Sequence, residues 1–142
     1  DTAMVDQNCA YCMEGELVAK FGIKICELET SKVYLFKEQS HPGRCIVAHK
    51  KHVGDMNELT AEERAAYFED VARVARAIMK AFNPDKVNYG AYGDTGHHLH
   101  FHLCPKYKDE YEWGGVFLMN PDKKYLTDAE YTEMIEKIKA NL

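Results

Sequence analysis

Three histidines, His98, His100 and His102, stand two residues apart in the stretch Gly96-His97-His98-Leu99-His100-Phe101-His102-Leu103-Cys104-Pro105. Successive side chains of a strand leave on opposite faces. Read as a strand, the stretch therefore lines up three imidazoles on one face and Leu99, Phe101 and Leu103 on the other. Imidazole titrates near neutrality and serves as nucleophile, proton carrier or metal ligand. One histidine on a strand is more often a hydrogen-bonded core residue, but a row of three points to chemistry. Two chemistries compete: adjacent imidazoles could share a metal such as zinc, or the middle one could attack an electrophile while its neighbours hold and polarise the substrate.

A second constellation is Cys9-Ala10-Tyr11-Cys12. Two cysteines at this spacing supply half of a tetrahedral zinc set. The other half would come from among His41, His49, His52, His97 and His98. The alternative is a redox pair or two unpaired thiols, and spacing alone leaves both open. The Gly-rich turn Gly90 to Gly96, with Thr95, lets backbone N–H groups approach an oxyanion and delivers the chain into the histidine row. Trp113, flanked by glycines and near Tyr107 and Tyr111, could stack on a nucleobase or simply pack locally.

The elements that must position these groups are legible from periodicity. Short apolar alternation predicts strands over 21–28, 33–36, 44–48 and 86–91, with the histidine strand last. Thr60 with Glu63 forms a capping box. Phe68, Val71, Ala75, Ile78 and Phe82 then recur at steps of three and four, predicting a helix over 61–82 with Glu62, Glu63, Glu69, Asp70, Arg73 and Arg76 off its apolar stripe. Thr127 with Glu130 starts a C-terminal amphipathic helix carrying Tyr131, Ile135, Ile138 and Leu142. Residues 1–8 read as a loose lead-in, and 106–119 as an ordered loop. The order of elements predicts an α+β fold: an antiparallel sheet of about five strands with the helices on one face and the histidines on the other.

At 142 residues the chain is one domain by default. A formal charge of −5 argues against a general coat for polymeric nucleic acid but not against a small phosphorylated ligand held by local groups. No apolar run reaches the roughly 20 residues of a membrane span, so no membrane association is expected. Five cysteines, an odd count without a secretion signal, fit a reducing, cytoplasmic setting. Cys26, Cys45 and Cys104 read as small core residues.

His98-Leu99-His100-Phe101-His102-Leu103-Cys104 resembles the His-φ-His-φ-His-φ-φ motif of the histidine triad (HIT) superfamily. The likeness spans about residues 9–107 of a single domain over 1–142, with a C-terminal loop and helix over 108–142. Cys9-x-x-Cys12 resembles the family's N-terminal zinc pair, and Gly43 to His52 resembles its Gly-His-φ-φ-φ-x-Pro-Lys-x-His segment. Asn88 and Gly93-Asp94-Thr95-Gly96 stand where the family has an Asn or Gln and a Gly-Gln-Ser/Thr turn. The resemblance implies a HIT-like fold and a nucleotide hydrolase that acts at the α-phosphate of dinucleoside polyphosphates or nucleoside phosphoramidates. Its alternatives are a nucleotidyl transferase or a nucleotide-binding interaction module. His100 would form a nucleotidyl-histidine intermediate, and His102 would contact phosphate and help protonate the leaving group. Asn88, Asp94 and Thr95 would lie at the phosphate or leaving group, with Lys37 or Glu38 near the ribose. Cys9, Cys12, His52 and His98 would hold a structural zinc, and the chain would form a homodimer joined sheet edge to sheet edge. Arg44 in place of His, His49 in place of Pro and Asp94 in place of Gln depart from the family pattern.

Overall fold

The computed structural model describes residues 6–142. The first part of the expected lead-in, residues 1–5, lies outside them. Five strands form one antiparallel sheet: β1 (Gly22–Glu27), β2 (Ser31–Phe36), β3 (Cys45–His49), β4 (Lys86–Gly90) and β5 (His100–Lys106), in the order β1-β2-β3-β5-β4. Two short helices, α1 (Ala10–Met13) and α2 (Glu16–Ala19), precede the sheet. The long helix α3 (Ala61–Phe82) separates β3 from β4, and α4 (Asp128–Lys139) ends the chain. Both expected capping boxes are present. The Thr60 hydroxyl accepts from the Glu63 N–H and Thr127 from Glu130, while each glutamate accepts from the cap's own N–H.

Helices α3 and α4 cover one sheet face. Val33, Leu35, Cys45, Val47, Leu99 and Leu103 meet Val71, Val74, Ile78, Ile135 and Ile138 there in the main core. The apolar half of the histidine stretch thus faces the helices, as its alternation requires. Two residues of α3 depart from the expected stripe. Phe68 is 38% exposed, and Asp70 is buried. A buried carboxylate needs donors, and Asp70 Oδ2 has three: the Thr30 N–H (2.9 Å), the Thr30 hydroxyl (2.7 Å) and the Ser31 hydroxyl (2.8 Å). It ties the β1–β2 turn to the helix.

The opposite face is not bare, as an arrangement with all helices on one side would leave it. Tyr11 and Val18 from α1 and α2 pack on Tyr34, Phe36, Ile46 and Ala48 in a second, smaller core. Helices of four residues have no stability of their own, and this burial is what holds them. The N-terminal segment is thereby fixed over β2 and β3, next to β5.

Candidate active site

Strand β5 begins at His100, not at His98. Its pairing with β3 sets Ala48 opposite His100 and Ile46 opposite His102, on the face that carries the small N-terminal core. His98 precedes the strand in an irregular stretch. The row is therefore split: two imidazoles on a rigid strand and one on the chain leading into it. All three are buried.

Each ring has a different orientation, readable from what its nitrogens meet. Carbonyl oxygens only accept, so His98 Nε2–H donates to the His49 carbonyl at 2.6 Å and His100 Nδ1–H donates to the His98 carbonyl at 2.6 Å. A guanidinium only donates, so His102 Nδ1 accepts from Arg44 Nη2 at 3.1 Å. The lone pair thus sits on Nδ1 of His98, on Nε2 of His100 and on Nδ1 of His102. Burial keeps all three rings neutral. It lowers the pKa of His100 against the stabilising His98 carbonyl. It pulls His98 down to about 4 and, with Arg44 and His100 adding to it, His102 down to about 2.

His98 Nδ1 faces the N-terminal cysteines. Cys9 Sγ lies 3.2 Å away and Cys12 Sγ 3.5 Å, while His52 Nδ1 is 3.1 Å from His98 Nδ1 and 3.3 Å from Cys12 Sγ. All four ligand atoms lie within 4.8 Å of one another. Tetrahedral zinc with bonds of about 2.3 Å to sulfur and about 2.0 Å to nitrogen sets ligand–ligand edges of roughly 3.3–3.8 Å. The four separations of 3.1–3.5 Å are within a few tenths of an ångström of that range. Its donor chemistry also fits a cation: the His98 lone pair is fixed by the His49 carbonyl, a second-shell arrangement typical of ligating histidines, and it points at another imidazole and two thiols. Cys9, Cys12, His52 and His98 are the residues that would hold the metal. Asp6 lies 3.7 Å from the outer nitrogen of His52.

His100 and His102 line a cleft of about 970 Å³. Its walls include Tyr11 and Phe36 on one side and Tyr92 and Phe117 on the other, with Asp94 and Thr95 on the rim turn. Lys37 and Glu38 also line it, but their groups are engaged. Lys37 Nζ donates to the Ala19 carbonyl. Glu38 accepts from the Ser40 N–H and hydroxyl and from the Lys123 and Lys124 N–H groups, clamping the strap before α4.

Asn88 stands elsewhere. It pairs with Cys104 on the edge strand β4 and lines a second, shallower hollow. Tyr92, Val116 and Phe117 border both hollows and divide them. That ridge depends on Gly90, where a Cβ would meet the Tyr92 ring at 2.6 Å and the Phe117 ring at 2.8 Å. Trp113, the ring offered for stacking on a base, is exposed and lines neither hollow, and its neighbours do other work: the Tyr107 hydroxyl donates to the Pro42 carbonyl, and Tyr111 packs on His41 and Lys123. Residues unassigned from the sequence take their place at the cleft, namely Tyr11, whose ring centroid is 4.8 Å from that of His100, Phe36 and Phe117. Arg44 stands behind them.

Known proteins resemble this chain in sequence and in fold. An adenosine 5'-monophosphoramidase of Schizosaccharomyces pombe is 28% identical to the chain, over 93% of it and 99% of the relative. A bis(5'-adenosyl)-triphosphatase of Dictyostelium discoideum is 28% identical over 66% of the chain and 65% of its own length. Among solved structures, a histidine triad protein from Sinorhizobium meliloti superposes with a TM-score of 0.83 at 23% identity, covering 90% of this chain and 95% of that one. A zinc-bound histidine triad family protein from Mycobacterium smegmatis does so with 0.64 at 20%, covering 94% and 92%. The HIT domain matches residues 22–109, which include all five strands, α3 and the histidine row, and the chain belongs to the HIT domain family.

Proposed function

We propose that the protein is a hydrolase that cleaves nucleotides at the α-phosphate, with dinucleoside polyphosphates or nucleoside phosphoramidates as the substrate class. The observation that carries this is the anchoring of His100. Its Nδ1–H is tied to the His98 carbonyl, so its lone pair is on Nε2, which has no hydrogen-bond partner among the described residues, in a ring that borders the cleft. A neutral imidazole held this way is a ready nucleophile.

His100 Nε2 attacks the α-phosphorus, the bond from phosphorus to the leaving group breaks, and the leaving group takes the electron pair. The resulting nucleotidyl-histidine carries its positive charge on a ring whose Nδ1–H already points at a carbonyl oxygen. Water then displaces His100, giving a nucleoside monophosphate and releasing a proton to solvent. His102 and Thr95 serve the phosphate oxygens, with Asp94 beside them on the rim. The relatives named for phosphoramidase and triphosphatase activity support the reaction class.

The Cys9–Cys12–His52–His98 set holds zinc in a structural role. Four protein donors complete its shell, and the ion ties the N-terminal segment to the chain entering β5. The sheet edge at β4 supports a homodimer joined edge to edge. Among the described residues no helix is long and apolar enough to cross a membrane.

Incubation with diadenosine tetraphosphate and with adenosine phosphoramidate, followed by an alkaline denaturing quench that preserves a P–N bond, should give adenosine monophosphate and a protein-bound adenylate that His100→Ala lacks. Equal turnover in both proteins, or none with any nucleotide that binds, would reject the reading.

A further inference from the structure

Arg44 is the largest of the fully buried side chains, and no carboxylate pairs with it among the described residues. Register explains its position. Cys45 pairs with Leu103, so the residue before Cys45 comes beside Cys104 on the cleft face, diagonal to His102. Its guanidinium lies 4.1 Å from the Phe36 ring centroid and 4.9 Å from that of Phe117. Nη1 donates to the Leu118 carbonyl at 3.2 Å, and Nη2 donates to the Met119 carbonyl at 2.8 Å and to His102 Nδ1 at 3.1 Å. Nε–H has no partner among the described residues. A cation with this little compensation is costly to bury. Its other side-chain contacts are to uncharged carbonyls, the Met119 sulfur (3.7 Å) and two rings, and the one titratable group it hydrogen-bonds is His102.

The contact restricts what His102 can do. A protonated imidazole has N–H on both nitrogens and would turn an N–H toward the guanidinium, so the imidazolium form is excluded twice, by geometry and by charge. Neutral His102 keeps its proton on Nε2 and can donate a hydrogen bond to a phosphate oxygen. It cannot act as a strong acid, because giving up that proton would leave an imidazolate. A family reading in which the third histidine protonates the leaving group therefore fails at this residue.

We propose that Arg44 is a positioning residue that locks His102 as a neutral Nε2–H donor, and that the site is thereby matched to phosphoric anhydrides rather than phosphoramidates. This rests on the reading that His100 attacks the α-phosphorus. In an anhydride the bridging P–O bond breaks and the oxygen leaves with the electron pair as a phosphate, whose secondary ionisation near pH ~6 makes it a stable anion without any proton transfer. In a phosphoramidate the P–N bond breaks, and the nitrogen must first gain a proton, because an amide anion does not leave into water. With His102 unable to supply that proton, it comes from solvent, and the step loses a general-acid contribution of about 10²-fold or more.

The other titratable groups around the pair do not replace that acid. They are His100 and Cys104 on β5, Tyr11 on α1, Tyr92 on the turn, Glu38 and His41 after β2 and Glu112 on the closing loop. Burial holds the Cys104 thiol up at about 12. Glu38 is occupied by Ser40, Lys123 and Lys124, and Glu112 by His41 and Leu118.

The test compares kcat/KM for diadenosine tetraphosphate and adenosine phosphoramidate in wild type, Arg44→Gln and Arg44→Lys. Both substrates transfer the same adenylate, so their ratio isolates the leaving group. Wild type should favour the anhydride by about 10²-fold. Arg44→Gln keeps a donor for Nδ1 without the charge and should reduce the ratio at least tenfold, with phosphoramidate cleavage rising toward acidic pH. Arg44→Lys should preserve the preference. Comparable rates on both substrates in wild type, or an unchanged ratio in Arg44→Gln, would overturn the proposal. Nitrogen NMR of His102 decides independently of turnover. The proposal requires an unprotonated Nδ1 and a protonated Nε2 that persist well below pH 6, whereas an ordinary titration near 6.5 in wild type overturns it. If His100→Ala matches wild type on both substrates, the nucleophile assignment fails, and the NMR result still judges Arg44.

Discussion

The two ends of the histidine row use the same side chain in opposite ways. At the entry end, His98 Nδ1 looks at two thiols and another imidazole, a nest of lone pairs that calls for a cation. At the far end, His102 Nδ1 looks at a guanidinium, a cation already supplied by the chain. His100 lies between them, oriented by the carbonyl of His98. The difference arises from the elements behind each ring. His98 sits on irregular backbone that can turn toward the N-terminal segment. His102 is held in β5 between β3 and β4, where the register sets it opposite Ile46 and Gly90 and diagonal to Arg44. Tyr11 packs on the entry end and the middle of the row, with its ring centroid 5.4 Å from that of His98 and 4.8 Å from that of His100. One end is therefore a fastening and the other an electrostatic setting, and substitutions should separate them.

The largest effect belongs to the residue between the ends. His100→Ala should lower kcat/KM by about 10³-fold or more while leaving the metal content unchanged. Retained activity, or loss of metal with it, would dissolve the division. Next comes the fastening. Cys12→Ser should reduce metal from one per chain to none and lower Tm by about 10 °C or more, since metal affinity is folding free energy in such a site. Metal analysis beside a thermal melt checks it, and a variant that keeps both metal and Tm would mean that the cluster is not a metal site. At the other end, Phe117→Leu removes a ring beside the guanidinium while nearly conserving volume. A loss of about 1–1.5 kcal/mol, or a Tm lower by about 4 °C, is expected, with metal content unchanged. Loss of metal in this variant would show that the two ends are coupled.

Much of this was legible from residue types alone. Alternation identified the strands, and capping boxes marked both long helices. The histidine row revealed its apolar face, and Cys9-x-x-Cys12 offered half of a metal set; the family resemblance, not the spacing, singled out His52 and His98 from five candidate histidines, and the fold brings these four together. What escaped has physical causes. Helices α1 and α2 are too short to carry a periodic pattern, and tertiary contacts, the burial of Tyr11 and Val18 among them, hold them. Asp70 lies off the apolar stripe and is buried nonetheless, because the donors of Thr30 and Ser31 reach it from a turn distant in sequence. Asn88 has the right strand parity for the cleft face, since it pairs with Cys104. It is on the edge strand beyond the Phe117 ridge, however, and lateral distance across a sheet is not encoded in parity. Arg44 was visible as a departure from the family pattern, but its meaning required the β3–β5 register.

The smallest effect tests how the far end is supported. Glu112 Oε1 accepts from His41 Nε2 at 2.7 Å, and the same carboxylate accepts from the Leu118 N–H, whose carbonyl in turn holds Arg44. Lys106 reinforces the loop by donating to the Glu112 and Gly115 carbonyls. Burial lowers the pKa of His41, and Glu112 opposes that shift. A histidine buried neutral contributes stability that is complete above its unfolded value, near 6.5, and is lost as pH falls below it, because the unfolded chain then binds the extra proton. Glu112→Gln keeps an acceptor for His41 but removes the opposing charge, so His41 is lowered further and the acid loss becomes steeper. The variant should be about 1 kcal/mol less stable at pH 8, and the gap in Tm from wild type should widen at pH 5. Metal content should not change, and kcat/KM should stay within about threefold. Thermal melts at the two pH values read the sign directly. A gap that stays constant or narrows at pH 5 would mean that the Glu112 charge does not oppose the lowering of His41, and that Glu112 supports the loop through its hydrogen bonds alone.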